Sequence, residues 1–148
     1  MRIGYYMTQS PITVSEQTSM KEAVLTLQRH RIRHLPVTNG TKLVGIVTDR
    51  DLKRASPSLL LEIEREEVEQ VLRTTLVSSI MTREPVTATP DTPLVDALRL
   101  MVEGKFGSVP VVNGDDLVGI FTEIDALKVL IEKEEKDSGD SSSGSHSL

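Results

Sequence analysis

The sequence has no cysteine among its 148 residues, which excludes disulfides, thiol nucleophiles and zinc–thiolate sites. It has no tryptophan and is 3% aromatic, so its core must come from valine, isoleucine, leucine, methionine and alanine. No stretch approaches the roughly 20 apolar residues of a membrane helix. The N-terminal MRIGYYMTQS lacks the apolar run of a signal peptide. A soluble, cytoplasmic protein with no membrane association is the expectation. Positive charge is also in deficit. A net charge of −5 argues against a sequence-independent grip on nucleic acid, which needs basic patches. The histidines are His30, His34 and His146, with no two at metal-ligand spacing on one helix. No metal, catalytic residue or required cofactor is expected, and neither is enzymatic activity.

What is present is one text written twice. Residues 43–52 read LVGIVTDRDL and residues 117–126 read LVGIFTEIDA. MTQSPITVSEQT from Met7 returns as MTREPVTATPDT from Met81, and LPVTNG from Leu35 as VPVVNG from Val109. The register holds without a gap from Met7/Met81 to Ala55/Val129. Two copies are too few for a solenoid, which needs about three. Units of roughly 50–60 residues bury too little surface to stand alone. A pseudo-two-fold pair sharing one core is therefore expected. The expected boundaries are a first repeat at 3–55, a helical linker at 56–76, a second repeat at 77–131 and a disordered tail at 132–148.

Each repeat reads strand, helix, strand, strand, helix, a mixed α+β pattern. Ile12 to Val14 is the expected first strand. Thr18 is the expected N-cap of a helix with Met20, Ala23, Val24 and Leu27 on one face. In the second copy Thr92 caps, Pro93 takes the first helical position, and Leu94, Ala97, Leu98 and Met101 form the stripe. Strands at Leu35–Thr38 and Leu43–Val47 flank Asn39-Gly40, a hairpin signal suited to a type I′ turn; Asn113-Gly114 repeats it. The linker should open a helix at Ser56-Pro57, with Leu59, Leu60, Ile63, Val71, Leu72 and Leu76 as its apolar side. It reads either as a packed connection or as an arm for assembly. Its glutamates, Glu62 to Glu69, read as a solvated face.

The chemistry sits in Gly45-Ile46-Val47-Thr48-Asp49-Arg50-Asp51. A strand ends, a hydroxyl follows, and a carboxylate stands three residues on in the first turn of a helix. A helix N-terminus suits a phosphate. The Thr48 hydroxyl can donate to a phosphate or sugar oxygen, and the Asp51 carboxylate can accept from both ribose hydroxyls. Gly45 allows a ligand or a neighbouring backbone to come close. Gly119, Thr122 and Asp125 repeat the set. The same tetrapeptide is also a capping box, with Thr48 as N-cap and Asp51 reaching back. Sequence leaves both readings open.

Taken together, the MT-x-x-P opening, the helix stripe, the LPV-x-NG hairpin and the LVGI-x-T-x-x-D close resemble the cystathionine-beta-synthase (CBS) domain. They occur in both copies, over about residues 3 to 131. The DLKRASPS junction and the spacing are most similar to the acetoin-utilisation accessory protein B group, whose further C-terminal domain is not expected here. The resemblance implies two sheets packed as a disc, and two clefts that take adenosine-containing ligands such as AMP, ADP, ATP or S-adenosylmethionine. It maps ribose and phosphate contacts to Thr48/Asp51 and Thr122/Asp125. It maps the base site to Ile12-Thr13 and Val86-Thr87, and phosphate contacts to Arg33 and His34. At the matching positions of copy two stand Gly107 and Ser108, and Arg50 becomes Ile124. The two clefts are thus expected to differ, with Arg33, His34 and Arg50 serving the more anionic ligand. The resemblance implies a homodimer acting on an unknown protein target. The expected role is a regulatory, energy-sensing module for an adenine nucleotide; the alternative is a ligand-free interaction module.

Overall fold

The computed structural model describes residues 1–56 and 64–140. Repeat one contains β1 (Thr8–Gln9), α1 (Met20–His30), β2 (His34–Asn39), β3 (Lys42–Thr48) and α2 (Asp49–Ala55). The linking helix α3 (Arg65–Thr74) follows. Repeat two contains β4 (Thr82–Arg83), α4 (Leu94–Gly104), β5 (Ser108–Asn113), β6 (Asp116–Thr122) and α5 (Glu123–Asp140). Among the described residues no helix is long and apolar enough to cross a membrane.

The repeats exchange their leading segments. β1 of repeat one pairs with β6 of repeat two, Thr8 opposite Ile120. β4 of repeat two pairs with β3 of repeat one, Thr82 opposite Ile46. The short turns beside these strands are exchanged as well. Ile3 is fully buried in the core of repeat two, whereas Val77 and Met81 are buried in the core of repeat one. The expected single shared core is thus two cores, each completed by the other copy. Interlocking solves the same surface-to-volume problem as merging. Instead of two packed sheets there is one six-stranded sheet, joined where Lys42 pairs with Asp116.

Gly45 serves this exchange. A Cβ there would stand 2.8 Å from the Thr82 carbonyl oxygen and 2.7 Å from Met81 Sδ. Gly119 meets Thr8 and Met7 at 2.9 and 2.5 Å in the same way. Of the two close approaches foreseen for this glycine, the structure displays the neighbouring backbone.

Several local expectations are corrected. Ile12 to Val14 is not a regular strand. Only Val14 bridges, parallel to Val37, because Val14 N–H donates to Pro36 O at 3.1 Å and Thr38 N–H to Val14 O at 2.9 Å. The N-cap of α1 is Ser19, which accepts from Glu22 N–H at 3.1 Å. Thr18 instead accepts from Ser15 N–H and fixes the preceding turn. Thr92 likewise accepts from Thr89 N–H, and Pro93 moves out to the N-cap position. In the hairpins Asn39 remains in strand, paired with Lys42, and Gly40 alone takes positive φ, at 62°. That places Gly first in a two-residue loop, the sign pattern of a type II′ rather than a type I′ turn. Gly114 repeats it at 64°. Ser56 caps the end of α2 by donating to Leu52 O at 2.7 Å; a helix start at Pro57, with Leu59, Leu60 and Ile63, lies outside the described residues. Finally, the expected disorder from residue 132 does not begin there. α5 runs on to Asp140, where lysines and glutamates favour helix and Lys136 pairs with Glu132 one turn back at 3.4 Å.

The linking helix α3 lies on α1. Leu72 packs on the core of repeat one, and Glu69 joins Lys21 of α1 and Arg73 of its own helix. Hydrogen bonds from Lys21 and then Arg73 hold the Glu69 carboxyl below its ordinary range.

Candidate functional site

β3 ends at Thr48 because the chain turns there into α2. The turn is held by a reciprocal pair: Asp51 N–H donates to Thr48 Oγ1 at 3.2 Å, and Thr48 N–H donates to Asp51 Oδ2 at 2.9 Å. Asp51 Oδ1 accepts no hydrogen bond among the described residues. Its half-buried carboxylate opens on a cleft of about 660 Å³ between the repeats. That size lies within the range of small-molecule sites.

The cleft gathers Arg33, His34, Thr48, Arg50 and Asp51 of the first repeat with Val86 of the second. Sequence reasoning missed Thr82, Glu84, Pro85, Lys105, Phe106, Gly107, Ser108 and Glu123, all from repeat two, and Asp49, Lys53 and Arg54 from repeat one. For the repeat-two residues the missing information was the strand exchange. β4 carries Thr82 to β3 and brings Glu84, Pro85 and Val86 into the cleft that Asp51 lines. Arg33, Arg50, Lys53, Arg54 and Lys105 line the cleft against Asp49, Asp51, Glu84 and Glu123. Five cationic side chains thus face four carboxylates here, in a chain whose net charge is −5.

Ile12, Thr13, Thr87, Thr122 and Asp125 do not line this cleft. Ile12, Thr13 and Thr87 are exposed elsewhere. Thr122 and Asp125 form the matching pair at α5, with Thr122 N–H donating to Asp125 Oδ2 at 2.9 Å and Asp125 N–H donating to Thr122 Oγ1 at 3.3 Å. Asp125 is only 6% exposed, and its two oxygens also accept from the Thr8 hydroxyl at 3.2 and 3.3 Å. Thr8 is the counterpart of Thr82, yet no such bond joins Thr82 to Asp51 among the described residues. The two carboxylates therefore differ: one is committed internally, and the other keeps an open oxygen.

His34 begins β2 and lines the cleft. Its Nδ1 is buried and without a hydrogen-bond partner among the described residues. Burial pushes the imidazole below its ordinary value of 6.5, against the upward pull of Asp49, Glu123 and Asp51. Arg33 adds to the lowering. The ring fits because residue 107 is glycine. A Cβ there would stand 2.7 Å from His34 Cε1 and 3.2 Å from Glu123 Oε1.

Fold and cleft define an internally duplicated α+β pair with interlocked halves and a charged site between them. The CBS domain pattern matches residues 3–58 and 77–132, and the chain belongs to the CBS domain family, carrying the domain twice. A CBS domain-containing protein of Dictyostelium discoideum is 38% identical over 127 residues, covering 84% of this chain and 88% of that protein. The structure assigned as acetoin utilization protein AcuB from Vibrio cholerae has a TM-score of 0.78 at 27% identity, covering 95% of this chain and 97% of its own. The structure of CBSX2 in complex with AMP has a TM-score of 0.75 at 28% identity, covering 90% and 98%. The CBS domain pair of protein MJ0100, in complex with 5′-methylthioadenosine and S-adenosyl-L-methionine, has a TM-score of 0.72 at 30% identity, covering 88% and 99%.

Proposed function

We propose that this chain is a non-enzymatic regulatory module of the cytoplasm that binds an adenosine-containing ligand in the cleft between its repeats. The observation that carries the proposal is Asp51: a half-buried carboxylate with one oxygen that accepts no hydrogen bond among the described residues, facing an open cleft edged with five cationic side chains. Asp51 accepts from the ribose, Thr48 donates to sugar or phosphate, and Arg33, Arg50 and His34 face the phosphates. Val86 and Pro85 supply the apolar edge for the base. Similar structures with AMP, and with S-adenosylmethionine and 5′-methylthioadenosine, support this ligand class. A ligand moves such a module only by its differential affinity for two arrangements of the pair.

A homodimer is part of the proposal. Ile124, Leu127 and Ile131 on α5 are 53–59% exposed at i, i+3, i+7 spacing, the seam of helix-to-helix packing. Val95 and Val102 on α4 repeat the spacing. At the positions of repeat one that match Ile124, Leu127, Val95 and Val102 stand Arg50, Lys53, Lys21 and Gln28, so this apolar face is a feature of repeat two. A second copy covers it.

The capping box seen at both Thr-x-x-Asp elements favours a second reading, an interaction module with no small ligand. Thermal unfolding with AMP, ADP, ATP and S-adenosylmethionine at millimolar levels separates the two. A ligand at 100 times its dissociation constant adds about 2.7 kcal/mol. A rise in Tm of several degrees with one of these ligands supports the sensor. No shift with any of them leaves the interaction module.

A further inference from the structure

We infer that His34 is a charge-selecting residue of the cleft: it takes up as much as one proton from solvent, the fraction set by pH, as a phosphate-bearing adenosine ligand enters, and none when the ligand carries no phosphate. The inference rests on the nucleotide reading proposed above.

The geometry is specific. His34 lies where the two repeats meet, against Gly107 of repeat two, with its ring closing on the space a side chain there would need. Nδ1 is buried and has no hydrogen-bond partner among the described residues, so none of these holds that nitrogen in its protonated form. The charged groups acting on it are Asp49 and Asp51 of α2, Glu123 of α5 and Arg33 beside it. In the empty cleft burial outweighs the three carboxylates and favours the neutral ring. A phosphate dianion entering near Arg33 adds negative charge beside the partly buried ring of His34, which favours imidazolium. The proton comes from solvent, and no bond in the ligand changes. Ser108 stands at the matching position of the other repeat and does not titrate, so that position adds no second proton.

Two consequences follow. Affinity for AMP rises as pH falls from 8 toward 6.5. Affinity for 5′-methylthioadenosine, which keeps the adenosine and lacks the phosphate, does not.

The test is isothermal titration of the full chain with AMP at pH 7.5, in two buffers of different ionisation enthalpy. At that pH the phosphate is almost entirely dianionic, its second pKa being about 6. The expected result is fractional proton uptake with AMP, none with 5′-methylthioadenosine, and none with AMP in His34→Gln, which still binds more weakly. A wild-type measurement guards against a misfolded variant. The His34 Cε1–H resonance should titrate below 6.5 in the empty protein and shift upward with AMP bound. AMP binding without proton uptake, uptake that persists in His34→Gln, or equal uptake with 5′-methylthioadenosine would overturn the assignment while leaving the ligand site intact. Absence of binding by both compounds would instead remove the nucleotide reading, and this inference with it.

Discussion

Replacing Asp51 by alanine separates the two tasks open to its carboxylate. One task is structural: it accepts from Thr48 N–H at 2.9 Å and helps to cap α2. Loss of such a cap costs about 1 kcal/mol. In a chain of this size that lowers Tm by roughly 2–5 °C. The other task is binding. Hydrogen bonds to a charged group contribute about 1.5–3 kcal/mol, so nucleotide affinity should fall roughly 10- to 150-fold. Asp125→Ala is the matched control. It removes an equivalent cap and also leaves the Thr8 and Thr122 hydroxyls without a buried partner, at a cost of about 1–3 kcal/mol. It should therefore destabilise at least as much as Asp51→Ala and leave affinity in the Asp51 cleft within about twofold, since it does not line that cleft. Calorimetry of both variants below their melting transitions gives the two numbers side by side. Unchanged affinity in Asp51→Ala, or lost affinity in Asp125→Ala alone, would refute the assignment of the cleft.

Three further outcomes are expected. The His34 pKa is lowered in the folded chain, so as pH falls the unfolded chain binds this proton first. Stability contributed by His34 is present above about 6.5 and is lost between 6.5 and the lower folded value; urea titrations from pH 7.5 to 5 should show a shallower loss in His34→Gln, and identical slopes would count against it. Gly45→Ala should destabilise by about 1–3 kcal/mol, because the new Cβ meets a backbone oxygen at 2.8 Å; denaturant unfolding measures it, and a neutral result would mean that β4 can move away. Leu127→Glu with Ile131→Glu should halve the mass seen by light scattering, since each covered side chain contributes about 1.5–3 kcal/mol. An unchanged mass would place any dimer contact elsewhere.

Much of the architecture was legible because it is local. Apolar spacing from Met20 to Leu27 fixed a helix and its buried face, and Asn-Gly marked both hairpins. Errors fell where near neighbours compete for one job. Ser19 outbid Thr18 for the cap because Thr18 was already held by Ser15 N–H. Gly40 moved one place along the hairpin because Asn39 had a strand partner in Lys42.

By itself, then, the sequence determined the duplication, the elements of each copy and the Thr-x-x-Asp pairs, since each depends on residues within a few places of one another. Only the tertiary structure decided which copy completes which core, and so which half-sites meet. The exchange of β1 and β4 brings Val86 and Glu84 into the cleft of Asp51, and Thr8 to Asp125. Those contacts span more than thirty residues, and no local pattern encodes them. They leave two nearly identical motifs in different states, because among the described residues both oxygens of one carboxylate are satisfied and one oxygen of the other is left open.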